Sequence, residues 1–221
     1  GYVVTHDLRQ PLRTMKSYIQ KLAKDYQDRL DATAENYVTR TVNAAVRMET
    51  LIRDVLAYSR VGTEGKEPSA VPASESLEGA LANLQAAIEE CGAVVRVGEM
   101  PVVAADPTQL SQLFQNLIGN ALKFRADGRV PEVEVTARRD EGGWVFEVAD
   151  NGIGIEAEYM HKIFKLGVES RLHGTSKYPG HGIGLATCEK IVQRHGGRIW
   201  VASDGPDRGT TISFSLPAAA G

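Results

Sequence analysis

Two runs of apolar residues, each spaced by alternating steps of four and three, constrain this chain more than any other feature. In the first, Leu8, Leu12, Met15, Ile19, Leu22 and Tyr26 recur with the period of a helix packed against other helices. The polar stretch from Asp28 to Ala34 interrupts the pattern, and Tyr37, Thr41, Ala44, Met48, Leu51, Val55 and Tyr58 then repeat it. The pair predicts an antiparallel helical hairpin over residues 1–62. Two helices alone cannot bury both seams, whereas two hairpins close a four-helix bundle around a continuous core, so a homodimer is expected.

At 221 residues the chain has room for two small domains. Gly62, Gly65, Pro68 and Pro72 stand among small polar residues, and the spacing predicts a linker at 63–73 and a second unit at 74–218. In that unit helices are expected over Ser74–Glu90, Pro107–Phe124 and Ile183–His195. Strands are expected at Val94–Val97, Val102–Ala104, Val133–Ala137, Trp144–Ala149, Arg198–Ala202 and Thr210–Leu216, which makes an α+β unit with a mixed sheet. No apolar run approaches the roughly 20 residues that span a bilayer. A net charge of -3 gives no electrostatic footprint for nucleic acid. Two isolated cysteines, Cys91 and Cys188, suggest neither a disulfide framework nor a zinc site, which fits a reducing, cytoplasmic setting. The chain begins inside a helix without Met, so it reads as a piece of a longer protein.

Three motifs in the second unit carry chemistry. Asp150-Asn151-Gly152-Ile153-Gly154 follows an apolar strand, and its glycines would let backbone approach a ligand while the acid accepts a hydrogen bond from an adenine amino group. The same residues could instead form a turn in which Asp150 caps its own backbone. Gly180-His181-Gly182-Ile183-Gly184-Leu185 opens a helix and can aim backbone N–H groups at phosphate, although a tight loop before a helix would need the same glycines. On the helix from Pro107, Gln112, Asn116, Asn120 and Lys123 share one face. Asn disfavours helix interiors, and amide oxygens suit Mg²⁺; a solvated polar stripe is the alternative.

In order and spacing these stretches resemble the N box, the two glycine boxes and, at Phe164, the F box of the ATPase domain of sensor histidine kinases. Gly209-Thr210-Thr211 resembles the short glycine motif before the last strand. The first helix carries His6-Asp7-Leu8-Arg9-Gln10-Pro11-Leu12, which is similar to the phosphoacceptor H box, most nearly the phytochrome-like version. His6 lies off the apolar seam and should face water, and Pro11 should bend the helix. The resemblance implies a dimeric four-helix bundle joined to a Bergerat (GHKL) α+β sandwich. The activity it implies is ATP-dependent phosphorylation of His6 and transfer to the aspartate of a response regulator receiver domain.

Within that family, Asp7 would orient and activate His6, and Gln10 would orient a water for dephosphorylation. Asp150 would bind adenine and Asn120 would hold Mg²⁺, with Asn116 and Lys123 completing a polar wall. Gly152, Gly154, Gly180, Gly182, Gly184, Leu185 and Thr211 would frame the nucleotide, and a lid from Glu156 to Pro179 would reach phosphate through Arg171, His173 and Lys177. Phe164-Lys165-Leu166 departs from the family by lacking the second aromatic of the F box. His161 is expected to be solvated and His195 to cap a helix. The rival from a different class is a scaffold that binds nucleotide or partners without phosphorylating itself. An ATPase that only hydrolyses is disfavoured because Gln112, where such relatives place a Glu, cannot take a proton. A sensor domain upstream is implied.

Overall fold

The structure, a computed structural model, describes residues 2–166 and 182–219, and only the backbone of residues 2–9 and of Asp28. The chain divides into two compact units, Gly1–Ala57 and Tyr58–Gly221.

Helix α1 (Tyr2–Asp25) continues through Pro11, and a 3₁₀ turn (Gln27–Arg29) leads to α2 (Ala32–Arg60), whose last three residues belong to the second unit. The Asp31 carboxylate accepts a 2.7 Å bond from the Ala34 N–H, which caps α2 where the sequence turns polar. Leu12 and Ala45 are buried, and Lys16 Nζ pairs with Glu49 at 3.3 Å to tie the helices together. Much of the described seam stays uncovered. Met15, Leu22, Tyr26, Met48 and Val55 each keep about half of their surface exposed, as a hairpin made to pack on another would. No helix among the described residues is long and apolar enough to cross a membrane.

The second unit is a two-layer sandwich. Its elements are β1 (Ser69–Pro72), α3 (Ala73–Cys91), β2 (Val94–Val97), β3 (Val102–Ala105), α4 (Pro107–Lys123), β4 (Glu132–Asp140), β5 (Gly143–Asp150), the short α5 (Ala157–Met160), α6 (Gly184–Arg194), β6 (Ile199–Ala202) and β7 (Thr210–Pro217). The main sheet has the order β2-β4-β5-β7-β6, with β2 parallel to β4 and every other pair antiparallel. The small strand β1 lies inside the stretch expected as linker and pairs antiparallel with β3. Its four residues, ending at Pro72, offer too short a period-two pattern to stand out from the surrounding glycines and prolines.

Helix α4 buries Leu110, Leu113, Phe114, Leu117, Ile118 and Ala121, the three-and-four spacing of one face laid on the sheet. Phe114 meets Phe146 of β5 and Phe214 of β7 edge-on, both at 5.8 Å, while those two rings stack at 4.9 Å. Fully buried aromatics of this kind contribute on the order of 3–5 kcal/mol each against truncation to Ala. Their packing fixes the height of α4 over β5 and β7. That placement carries Asn120, six residues beyond Phe114, to the end of β5, where Asp150 stands.

Candidate nucleotide-binding site

A cleft opens between α4, the ends of β5 and β7, and the start of α6. Leu117, Ala121, Val148, Ile153, Ile163, Leu185 and Ile212 give it apolar walls, and its polar groups are few: Asn120, Asp150 and Thr210. An apolar slot with a few convergent polar atoms is the usual form of a site for a flat organic ligand.

Asp150 ends β5 half-buried, and its Oδ1 accepts both the Gly152 N–H at 2.8 Å and the Thr210 N–H at 3.2 Å. These are the hydrogen bonds recorded for the carboxylate among the described residues, and they leave Oδ2 for a donor from the cleft. Burial pushes the Asp150 carboxyl up from 3.8 to about 6, and the two backbone bonds hold it below where burial alone would carry it. The turn in which Asp150 caps its own backbone and the ligand-facing acid are thus the same structure, each using a different oxygen.

The glycines of this motif also meet a packing requirement of the protein itself. A Cβ on Gly152 would lie 2.4 Å from the Phe124 carbonyl, and one on Gly154, at φ +67°, 2.1 Å from the Gly205 carbonyl. They admit close packing of backbone within the protein. Gly154 lines the cleft, and Gly152 is not among the described residues that do. Ser203 braces the same loop, accepting from the Ile155 N–H at 3.0 Å and donating to the Gly209 carbonyl at 2.7 Å.

Asn120 projects into the cleft, and its Nδ2 is buried with no hydrogen-bond partner among the described residues. An orphaned buried donor is costly, about 1–3 kcal/mol, unless a ligand completes it. A phosphate oxygen fits the nitrogen, and the carbonyl oxygen of the same amide suits Mg²⁺, so the residue present fits the expected metal. Asn116 is placed differently: its Nδ2 reaches the Gly184 carbonyl at 3.5 Å and links α4 to the start of α6. Lys123 turns its ammonium over the Phe124 ring, 4.3 Å from the centroid. Neither is among the described residues that line the cleft.

Leu185 is buried in the cleft, whereas a Cβ at Gly184, at the start of α6, would meet no atom of the described residues within 4 Å. Gly182 sits at φ +66° and supplies the turn into α6. In β7 it is Thr210 and Ile212 that face the cleft; Thr211, of opposite parity in the strand, does not line it. The inward parity of Ile212, Phe214 and Leu216 was the signal for Thr210. Gln10 is exposed in α1, one turn beyond His6, whose side chain and that of Asp7 lie outside the described residues. Arg171, His173, Lys177 and Gly180 fall in 167–181, also outside them. His161 is exposed, and His195 caps α6 while buried.

A mixed sheet covered by helices on one face, with an acid at a strand end below an asparagine-bearing helix, defines a GHKL-type ATPase fold. Residues 105–220 match the histidine kinase-, DNA gyrase B-, and HSP90-like ATPase family, and residues 2–64 match the His Kinase A (phospho-acceptor) domain. The chain belongs to the sensor histidine kinase family, of which it forms a catalytic core. It is 42% identical to phytochrome-like protein Cph1 of Synechocystis and 44% identical to cyanobacterial phytochrome A of Nostoc, in each case over 98% of its length. It is 31% identical to the sensor histidine kinase WalK of Bacillus subtilis over 97%. The chain spans 28% of the length of both phytochrome relatives and 35% of that of WalK. Among solved structures, full-length ShkA in complex with AMPPNP aligns over 99% of this chain and 46% of its own, with a TM-score of 0.71 and 26% identity.

Proposed function

We propose that this core uses ATP to phosphorylate His6 and passes the phosphoryl group to an aspartate of a response regulator receiver domain. The observation that carries the reading is the pairing of Asp150, with one oxygen left for a donor, and the orphaned Asn120 amide across a single apolar cleft. The nucleotide complex of the ShkA relative supports it.

In this reading the adenine ring lies between the apolar walls and its amino group donates to Asp150. The start of α6, from Gly182 through Leu185, receives phosphate with backbone N–H groups and the helix dipole. Asn120 would hold Mg²⁺ through its amide oxygen; when bound, the metal supplies charge neutralisation at the transferred phosphate. His6 attacks the terminal phosphorus through a neutral ring nitrogen, the bond to the bridging oxygen breaks, and ADP leaves. Asp7 accepts the other ring proton and keeps the attacking nitrogen unprotonated. Gln10, exposed one turn on, would orient water for hydrolysis of the phosphorylated regulator. Arg171, His173 and Lys177 are the basic residues of the lid segment, with Gly180 before α6.

The uncovered seam of the hairpin is the dimer surface, buried by a second copy to complete a four-helix bundle. The division into hairpin (1–62), linker (63–73) and ATP-binding domain (74–218), an upstream sensor domain and a cytoplasmic setting complete the proposal. Incubation with γ-labelled ATP and Mg²⁺, with and without His6→Gln, tests it. Acid-labile label is expected on the unsubstituted chain only. Label retained by the variant removes His6 from the mechanism, and none on either chain leaves a nucleotide-binding scaffold.

A further inference from the structure

Residues 58–66, from the last turn of α2 onward, lie in the second unit and are held there by a set of contacts that the nucleotide chemistry does not use. Tyr58, at the end of α2, offers its carbonyl to Lys190 Nζ at 2.9 Å, and the same ammonium lies 4.4 Å from its ring centroid. Val61 is buried in the core of this unit, and its carbonyl accepts from Gln109 Nε2 at 3.1 Å. Lys66 donates its backbone N–H to Asp106 Oδ2 at 2.7 Å and accepts from Arg194 Nη2 at 2.8 Å.

Arg194 is the residue on which these contacts converge. Its Nη1 donates to Gln109 Oε1 at 2.9 Å and stands 3.7 Å from the buried Asp106 carboxylate. The guanidinium fork therefore joins three pieces of chain: the segment after α2, the N-terminus of α4 and the last turn of α6. Gly65 is shaped to it, since a Cβ there would lie 2.2 Å from Arg194 Nη1 and 2.4 Å from Gln109 Nε2.

The two helices gripped in this way are the ones that build the cleft. Helix α4 carries Asn120, α6 begins at Gly184 and Leu185, and Asn116 bridges them. We infer that residues 58–66 form a strap that sets the spacing of α4 and α6, and that Arg194 is a positioning residue for nucleotide binding, acting from the far end of α6. The strap thereby makes the end of α2 a point from which nucleotide affinity is adjusted. This inference rests on the nucleotide-binding reading of the cleft.

Coupling of this kind is reciprocal: if the closed strap raises affinity by some factor, nucleotide must favour the closed strap by the same factor. The test uses the full chain, ATP with Mg²⁺, and two variants. Arg194→Ala deletes the fork. Gly65→Ala leaves α4 and α6 unaltered and displaces the guanidinium and the Gln109 amide, both ends of flexible side chains. Each variant is expected to bind ATP at least fivefold more weakly while its circular dichroism and unfolding midpoint show an intact fold, and Arg194→Lys, which keeps one donor, to fall between. In the unsubstituted chain, saturating ATP is expected to slow hydrogen exchange at least fivefold at those 58–66 amides that exchange faster than the amides of β5 and so open locally, a response a merely structural clasp would lack because ligand then protects only amides that exchange by global unfolding, and the response should vanish in Gly65→Ala. Unchanged exchange at 58–66 under saturating ATP overturns the strap while leaving the cleft's assignment intact, as do two folded variants with undiminished affinity. Failure of the unsubstituted chain to bind ATP overturns both.

Discussion

Asp150→Asn should make the ATP-binding unit more stable while disabling it. Asn keeps an Oδ1 that accepts from the Gly152 and Thr210 N–H groups, so the turn survives; only the charge is removed. Burial raises the carboxyl from 3.8 to about 6, which means that the folded unit binds this proton more tightly than the unfolded chain does. The ionised form is therefore destabilising. The cost is absent well below pH 3.8, grows as pH rises from about 4 to about 6, and is complete above that. At about 1.4 kcal/mol for each tenfold change in proton affinity, the full cost is about 3 kcal/mol, an upper figure because the cleft opens to water. At pH 4.5 only about 1 kcal/mol of it has developed. Both tryptophans, Trp144 and Trp200, lie in this unit, so urea unfolding followed by their fluorescence reports on it alone. Without nucleotide, the variant should gain about 2–3 kcal/mol at pH 7.5 and about 1 kcal/mol at pH 4.5, and should bind ATP at least tenfold more weakly because its amide presents a donor to the adenine amino group. Equal stability at pH 7.5, or a gain independent of pH, would show that the carboxylate is not destabilised by its burial.

Asn120→Ala removes the orphaned amide, so the unliganded unit should lose less than about 1 kcal/mol in the same denaturation assay while phosphorylation of His6 falls at least a hundredfold; a large loss of stability would mean that the amide is satisfied within the protein. Gly154→Ala, at φ +67° and against the Gly205 carbonyl, should cost more than about 2 kcal/mol by calorimetry. Gly184→Ala meets no atom of the described residues and should change unliganded stability by under about 1 kcal/mol, yet weaken ATP binding measured by titration. Leu51→Glu places a charge on the exposed hairpin seam and should convert a dimer to a monomer in light scattering with little change in helicity; a persistent dimer would locate the interface elsewhere.

Much of the site was legible in the sequence because its parts are short and local. A strand end, a turn and a helix start declare themselves over a few residues, so Asp150, Asn120 and the opening of α6 could be named from order and spacing. Side-chain placement was less legible where neighbours decide. Lys123 and Asn116 share a helical face with Asn120, yet one turns over Phe124 and the other reaches Gly184, because the face is wider than the cleft beneath it. Thr211 was named from the motif Gly209-Thr210-Thr211, whereas strand parity puts Thr210 in the cleft.

The seams, the helix caps and the glycine punctuation are properties of contiguous residues, and they determined by themselves a helical hairpin followed by an α+β unit with a mixed sheet. Tertiary structure alone decided what each side chain meets. It assigned Gly152 and Gly154 to backbone packing, divided the oxygens of Asp150 between turn and cleft, left Asn120 Nδ2 without a partner, and brought Lys66 to Asp106 and Arg194 across 40 and 128 residues. Contacts over such separations depend on how whole elements pack, which no local pattern of spacing encodes.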